Sequence, residues 1–220
     1  MKHNIFKNSF YYENLFYLTC STNRLSKLIA QFIVFEKSKS AKGTYAEFGV
    51  FKGSSLFRFL IFRDMLKDKR LFYAFDSFGK FRIPKNIDKD ELNELKLFFK
   101  EAGNDSISKK NLQLILKKRR LDKNVKLIQG DILQSLKLFL KKNKKIKFSF
   151  VNLDVDLYGI SKFILENIWK KVSKKGIIWF DDYEGFPGAK RAINEFLTKN
   201  HNASLQKLSF DRDYYYCIKK

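Results

Sequence analysis

From about residue 44 the chain alternates short apolar runs with longer amphipathic stretches. Tyr45–Phe48 is short and stops at Gly49, a strand entering a turn. Ser55–Leu66 carries Leu56, Phe57, Phe59, Leu60, Ile61 and Leu66, the density of a buried helix. Leu71–Phe75 reads as a second strand, ending at Asp76. Helices follow around Leu92–Phe99 and over Ser108–Leu121, then a strand at Val125–Ile128 that ends at Gly130–Asp131. Ile132–Leu140 is helical by spacing, Ile146–Leu153 a strand ending at Asp154, and Ile160–Val172 a helix. Gly176–Phe180 is a strand ending at Asp181–Asp182, and Gly188–Leu197 a helix. Ala203–Leu208 and Tyr214–Ile218 close the chain as two strands with no helix between them.

Repeated strand–helix alternation predicts an α/β fold with a mostly parallel sheet covered on both faces. The final hairpin predicts one antiparallel strand within that sheet. The first forty or so residues are helical by pattern, through Phe16, Leu18, Leu25, Leu28, Ile29, Phe32 and Ile33. Residues 1–42 are therefore expected to form an appendage that packs on the sheet or makes a homo-oligomer contact. Residues 43–220 are expected to form one domain, since no repeat or Pro/Gly linker divides them.

Lys7, Glu13, Asn14, Asn23, Arg24 and Lys27 interrupt the apolar groups of the first thirty residues, which argues against a signal peptide. No window approaches the ~18 apolar residues of a membrane-spanning helix. Cys20 and Cys217 are too few for a disulfide scaffold. The expectation is a soluble cytoplasmic protein, with peripheral membrane association through Lys-rich faces left open.

Charge changes the picture next. Forty-five Lys+Arg against 23 Asp+Glu give a formal net charge of +22. A polyanion such as nucleic acid is the first partner this suggests. The basic runs Lys117–Arg120, Lys141–Lys145 and Lys170–Lys175 fall where helices end, however, and Lys there complements the helix dipole. Lys outnumbers Arg 36 to 9, whereas forked phosphate and base recognition favours Arg. Solvated helix ends are the better reading, and no specific nucleic-acid partner is expected.

The acids carry more information. Glu47, Asp76, Asp131, Asp154 and the pair Asp181–Asp182 fall at the carboxyl ends of all five expected parallel strands. That edge is where open α/β sheets place their chemistry. Any one of these acids alone is explained as a helix cap or turn residue. Five in register are not. The first strand runs into Glu47–Phe48–Gly49–Val50–Phe51–Lys52–Gly53–Ser54–Ser55, which is neither a GxGxxG nor a P-loop. An acid beside these glycines disfavours phosphate and suits a cationic ligand or a hydroxyl donor. Asp76 on the next strand is placed to accept ribose hydroxyls. A nucleoside cofactor without nearby phosphates, such as S-adenosylmethionine, fits that charge pattern. Asp154, Asp181 and Asp182 on neighbouring strands would converge and repel unless a cation lies between them. A hard divalent ion such as Mg²⁺ suits them. Zinc does not, for want of a Cys/His cluster. His3 and His201 stand alone and read as surface residues.

Taken with Phe75–Asp76–Ser77–Phe78, Leu153–Asp154–Val155–Asp156–Leu157–Tyr158, Asp181–Asp182–Tyr183 and Gly188–Ala189–Lys190–Arg191–Ala192, the sequence resembles the macrocin O-methyltransferase family. That family is a branch of the class I S-adenosylmethionine-dependent methyltransferases. The resemblance runs from about Tyr45 to the C-terminus. It implies a Rossmann-like fold with a seven-stranded sheet, mostly parallel with the last strand antiparallel, plus N-terminal helices. It also implies Mg²⁺-dependent methylation of a hydroxyl, commonly on a sugar. Glu47, Phe48, Gly49 and Gly53 would line the methionine end of the cofactor, with Ser54 on its carboxylate. Asp76 and Ser77 would meet the ribose, and Gly130 and Asp131 the adenine. Asp154, Asp181 and Asp182 would bind the metal, and Asp154 is the candidate base. Asp156 would support these residues from behind or cap a helix. The family's Glu-Gly-Leu-Pro is replaced here by Gly79–Lys80–Phe81–Arg82–Ile83–Pro84, so the acceptor side departs from the family pattern. Phe81–Ser108 is a candidate lid.

Two other functions compete. One is methylation of a small phenol or catechol by the same metal chemistry. The other is non-catalytic polyanion binding on the same fold, which would not need the three metal-site acids. A basic exterior would also suit an anionic acceptor such as a nucleotide-linked sugar.

Overall fold

The computed structural model describes residues 8–81, 83–84 and 87–220. The expectations for His3 and Arg82 lie outside them. Seven strands form a single sheet in the order β3-β2-β1-β4-β5-β7-β6. They are β1 (Thr44–Phe48), β2 (Phe72–Asp76), β3 (Val125–Gln129), β4 (Phe148–Leu153), β5 (Val172–Phe180), β6 (Ala203–Ser209) and β7 (Asp213–Lys219). β1 to β5 pair in parallel. β7 is antiparallel to both β5 and β6, as the closing hairpin predicts.

The helices are α1 (Ser9–Thr19), α2 (Thr22–Lys37), α3 (Ser54–Met65), α4 (Lys89–Ala102), α5 (Lys109–Lys118), α6 (Ile132–Lys142), α7 (Tyr158–Ile168) and α8 (Pro187–Lys199). Strand side chains alternate between two apolar layers, as both-face burial requires. Ala46, Phe48, Tyr73 and Phe75 face a layer built by α6, α7 and α8, with Phe139, Ile164, Ile168 and Phe196 in its core. Tyr45, Phe72, Phe150 and Trp179 face a layer built by α2, α3 and α5, with Val34, Phe35, Phe59 and Leu112. Phe35 is wedged among Tyr45, Phe59 and Phe150, with ring centroids 4.7, 5.6 and 5.1 Å away.

α2 packs on the sheet and contributes to its core. Ala30, Val34 and Phe35 are fully buried. Ser26 on the same helix bonds the Tyr214 hydroxyl at 2.7 Å. α1 differs: none of its residues is buried, and Phe10, Tyr17 and Leu18 are strongly exposed. Among the described residues no helix is long and apolar enough to cross a membrane.

One boundary departs from the sequence pattern. The helix expected over Ile160–Val172 stops at Ile168, and a 3-10 turn covers Trp169–Lys171. β5 then begins at Val172 rather than Gly176, because Val172 pairs with Phe148. The register shifts before Phe150 pairs with Ile177. Lys175, with φ of 62°, takes up the extra residues between.

The strand order reverses at β1, which lies between β2 and β4. Ligands of open α/β sheets occupy the crevice at such a reversal, beyond the carboxyl ends of the strands.

Candidate active site

A cavity of about 660 Å³ opens at that edge, within the size range of small-molecule sites. Its floor comes from the loops after β1 to β5. Gly49, Ser54, Asp76, Ser77, Gly130 and Asp131 line one end. Asp154, Asp156, Asp181 and Asp182 line the other.

At the first end the backbone does most of the shaping. Gly49 has φ of 89°, and a Cβ there would lie 1.6 Å from the Asp154 carbonyl oxygen. The loop after β1 can therefore cross β4 only with glycine at this position. Asp154 N donates to Phe48 O at 2.9 Å, so the ends of β1 and β4 are tied side by side. Asp76 holds the loop from the β2 side. Its Oδ2 accepts from Val50 N at 2.8 Å and Phe51 N at 3.1 Å, and its Oδ1 accepts from Phe78 N at 2.7 Å. Asp76 also lines the cavity, where the ribose hydroxyls were expected. Ser77 stays on the cavity wall beside it. Gly53 caps α3 with φ of 91°, and Ser54 and Ser55 bring the first turn of that helix to the wall. Free N–H groups and the helix dipole favour a carboxylate there. Asp131 lines the cavity while capping α6, accepting from Leu133 N at 2.8 Å.

Three of the expected cofactor residues do not line the cavity. Phe48 is in the core and stacks on Phe75 at 4.6 Å. Gly53 shapes the helix start from behind. Glu47 is fully buried, with Oε1 accepting from Asn152 Nδ2 at 2.8 Å and Oε2 without a hydrogen-bond partner. Burial pushes the Glu47 carboxyl up to about 8. Its acidity is thus spent inside the sheet rather than on a ligand.

At the second end the carboxylates stand together. One oxygen from each of Asp154, Asp156 and Asp182 lies within 4.8 Å of the others. Asp156 joins them because its backbone turns back with φ of 60°, and its N–H donates to Asp182 Oδ2 at 3.1 Å. It is not the helix cap the sequence allowed, since Leu157 occupies that position. Burial, then the charges of Asp181 and Asp182, raise Asp154 well above the ordinary carboxylate range. Burial, then Asp156 and Asp181, do the same to Asp182. Burial and the Asp154 charge lift Asp156 to about 7.

Asp181 is separate. It lines the same cavity but binds this chain's own donors: Lys27 Nζ at 2.5 Å on Oδ2, and Trp179 Nε1 at 3.0 Å and Gln31 Nε2 at 3.3 Å on Oδ1. Burial pushes its carboxyl up, but the Lys27 ammonium outweighs this and holds it below the ordinary range. Of the expected trio, Asp154 and Asp182 stand in the cluster with Asp156, while Asp181 lines the same cavity paired with Lys27.

Sequence reasoning expected a helix at α2 but did not place it at the cavity. Arg24 and Lys27 line the cavity, and Gln31 receives a 2.7 Å bond from Arg58. Their spacing of three and four residues puts them on one side of the helix, which was the available signal. The segment expected as a lid supplies an apolar wall through Phe81, Phe98 and Ala102, facing Phe186. Phe98 packs on Phe51 at 5.4 Å. Glu91 on α4 accepts from Tyr158 N at 2.6 Å and ties this wall to α7.

A sheet of this order, with a glycine turn after β1 and acids at the ends of β2 to β5, defines a Rossmann-like class I methyltransferase. Solved structures agree on the fold. The calicheamicin methyltransferase CalS11 superimposes with a TM-score of 0.75 at 20% identity, covering 99% of this chain and 87% of that one. The O-methyltransferase NovP gives 0.73 at 20% identity, covering 88% and 79%. An O-methyltransferase from Bacillus cereus, in complex with SAH, gives 0.56 at 13% identity, covering 91% and 82%. No curated protein sequence matches the chain. The sequence model described as Macrocin-O-methyltransferase (TylF) matches residues 17–215. The chain belongs to the macrocin-O-methyltransferase family, and is an S-adenosylmethionine-dependent O-methyltransferase.

Proposed function

We propose that the protein methylates a hydroxyl of a sugar or glycosylated small molecule, with Mg²⁺ or another hard divalent cation at the acidic end of the cavity. The observation that carries this is the joining of two unlike ends in one cavity: a glycine turn with a helix N-terminus, and three clustered carboxylates. One solved relative, CalS11, is a TDP-rhamnose 3'-O-methyltransferase.

The residues fit both ligands. The turn at Gly49 and the start of α3 suit the methionine end of S-adenosylmethionine, with Ser54 beside its carboxylate, and Asp131 keeps one oxygen free for the adenine amino group. The three carboxylates offer only oxygen, the preference of Mg²⁺. When bound, the cofactor supplies an electrophilic methyl group and the cation lowers the pKa of an acceptor hydroxyl. Asp154 and Asp182 would hold the cation, with Asp181 released from Lys27 as a further ligand. A carboxylate of the cluster takes the hydroxyl proton. Asp154 is the sequence's candidate, and Asp156 stands beside it in the cluster. The cavity walls hold the two reactants in line and exclude water.

Arg24, Lys52 and Arg58 also line the cavity, which supports an anionic acceptor such as a nucleotide-linked sugar. Phe81, Phe98 and Phe186 favour a second reading, a planar phenol or catechol stacked on the aromatic wall. Labelled S-adenosylmethionine tested against nucleotide-linked sugars, neutral glycosides and catechols separates these. Transfer to sugars that stops in EDTA is the expected result. Transfer to catechols alone would overturn the sugar reading, and full activity in EDTA would remove the cation.

A further inference from the structure

Lys27 comes from α2 and Asp181 from the end of β5, 154 positions apart in sequence. Their 2.5 Å contact is largely dry, with side-chain exposures of 24% and 8%. Gln31 and Trp179 complete the cradle around Asp181, and Arg58 orients the Gln31 amide. Asp154, Asp156 and Asp182 beside it make no ion pair of their own among the described residues. The Lys27 ammonium interacts with Asp154, Asp181 and Asp182 together.

We infer that Lys27 is a resident counter-cation of the acidic site, competing with the divalent ion so that α2 sets how tightly the ion is held. The inference rests on the metal reading proposed above. Two cations at this range repel, and the repulsion is weakly screened where water is scarce. Asp181 must also leave Lys27 before it can face an ion. Lys27 therefore keeps the carboxylates tolerable without the ion, and weakens the ion's binding in return. A purely structural role, pinning α2 to the sheet, predicts the opposite for affinity: a loosened site binds an ion less well.

The test is Mn²⁺ titration of the full chain without cofactor, following free Mn²⁺ by electron paramagnetic resonance. Lys27→Met is expected to bind Mn²⁺ about tenfold tighter than the parent. Lys27→Gln, which keeps a donor for Asp181 and serves if the Met variant fails to fold, is expected to move the same way. Lys27→Arg keeps the charge and is expected to stay within about twofold of the parent. Parent-like or weaker binding by the Met and Gln variants would overturn the inference and leave the metal reading intact. No Mn²⁺ binding by any of the four proteins would overturn both.

Discussion

The two ends of the cavity use the same residue type in opposite ways. Asp76 at the glycine-loop end accepts from three backbone donors. Asp154, Asp156 and Asp182 at the other end are crowded, half-buried or buried, and make no ion pair of their own among the described residues. One acid serves the fold, and the other three strain it. The lesson is that an acid at a strand end becomes evidence for a ligand only when the fold leaves it unsatisfied.

The largest test of that contrast is Gly49→Ala. Its Cβ has no room against the Asp154 carbonyl, and φ of 89° is hostile to alanine. The loss should exceed ~4 kcal/mol, at the extreme of single substitutions. A near-parental melting temperature would show that the two ends are not locked together here. Asp182→Asn comes next. Methyl transfer should fall about 10³-fold, the scale of losing a preorganised electrostatic group, yet the metal-free protein should melt no lower. Destabilisation would mean that the cluster serves the fold as Asp76 does.

Glu47 gives a pH test. Its folded pKa of about 8 lies above its ordinary 4.5. Between those values the unfolded chain binds fewer protons than the folded one, so stability falls as pH rises through this window and levels off above it. Glu47→Gln should flatten that slope in urea melts taken from pH 5 to 9, a range spanning the raised value. An unchanged slope would place the titration elsewhere. Asp76→Asn should have the smallest effect, ~1–3 kcal/mol, because an amide oxygen cannot replace both carboxylate oxygens. Cofactor affinity in calorimetry should fall with it, as the loop loosens.

Much of the fold was legible because apolar periodicity is local. Runs such as Leu71–Phe75 and Ile132–Leu140 announce their elements without help from distant residues. What stayed hidden depends on distance or on backbone detail. Asp156 enters the cluster through a left-handed turn that no spacing rule reveals. The partner of Asp181 lies on a helix near the other end of the chain. Glu47 has the right position in the motif, but its side chain points into the sheet to meet Asn152, which sits opposite it on β4. The early start of β5 was masked because Ser173–Lys175 looks like a polar turn, while the pairing of Val172 with Phe148 depends on a neighbouring strand.

The contact between Gly49 and the Asp154 carbonyl has a thermodynamic reading as well. One residue shapes the glycine turn at one end of the cavity, the other belongs to the acid cluster, and no compressible space separates them. A ligand that shifts either segment alters the fit of the ligand at the other. By linkage the coupling is equal in both directions: whatever factor one ligand contributes to the affinity of the second, the second returns to the first.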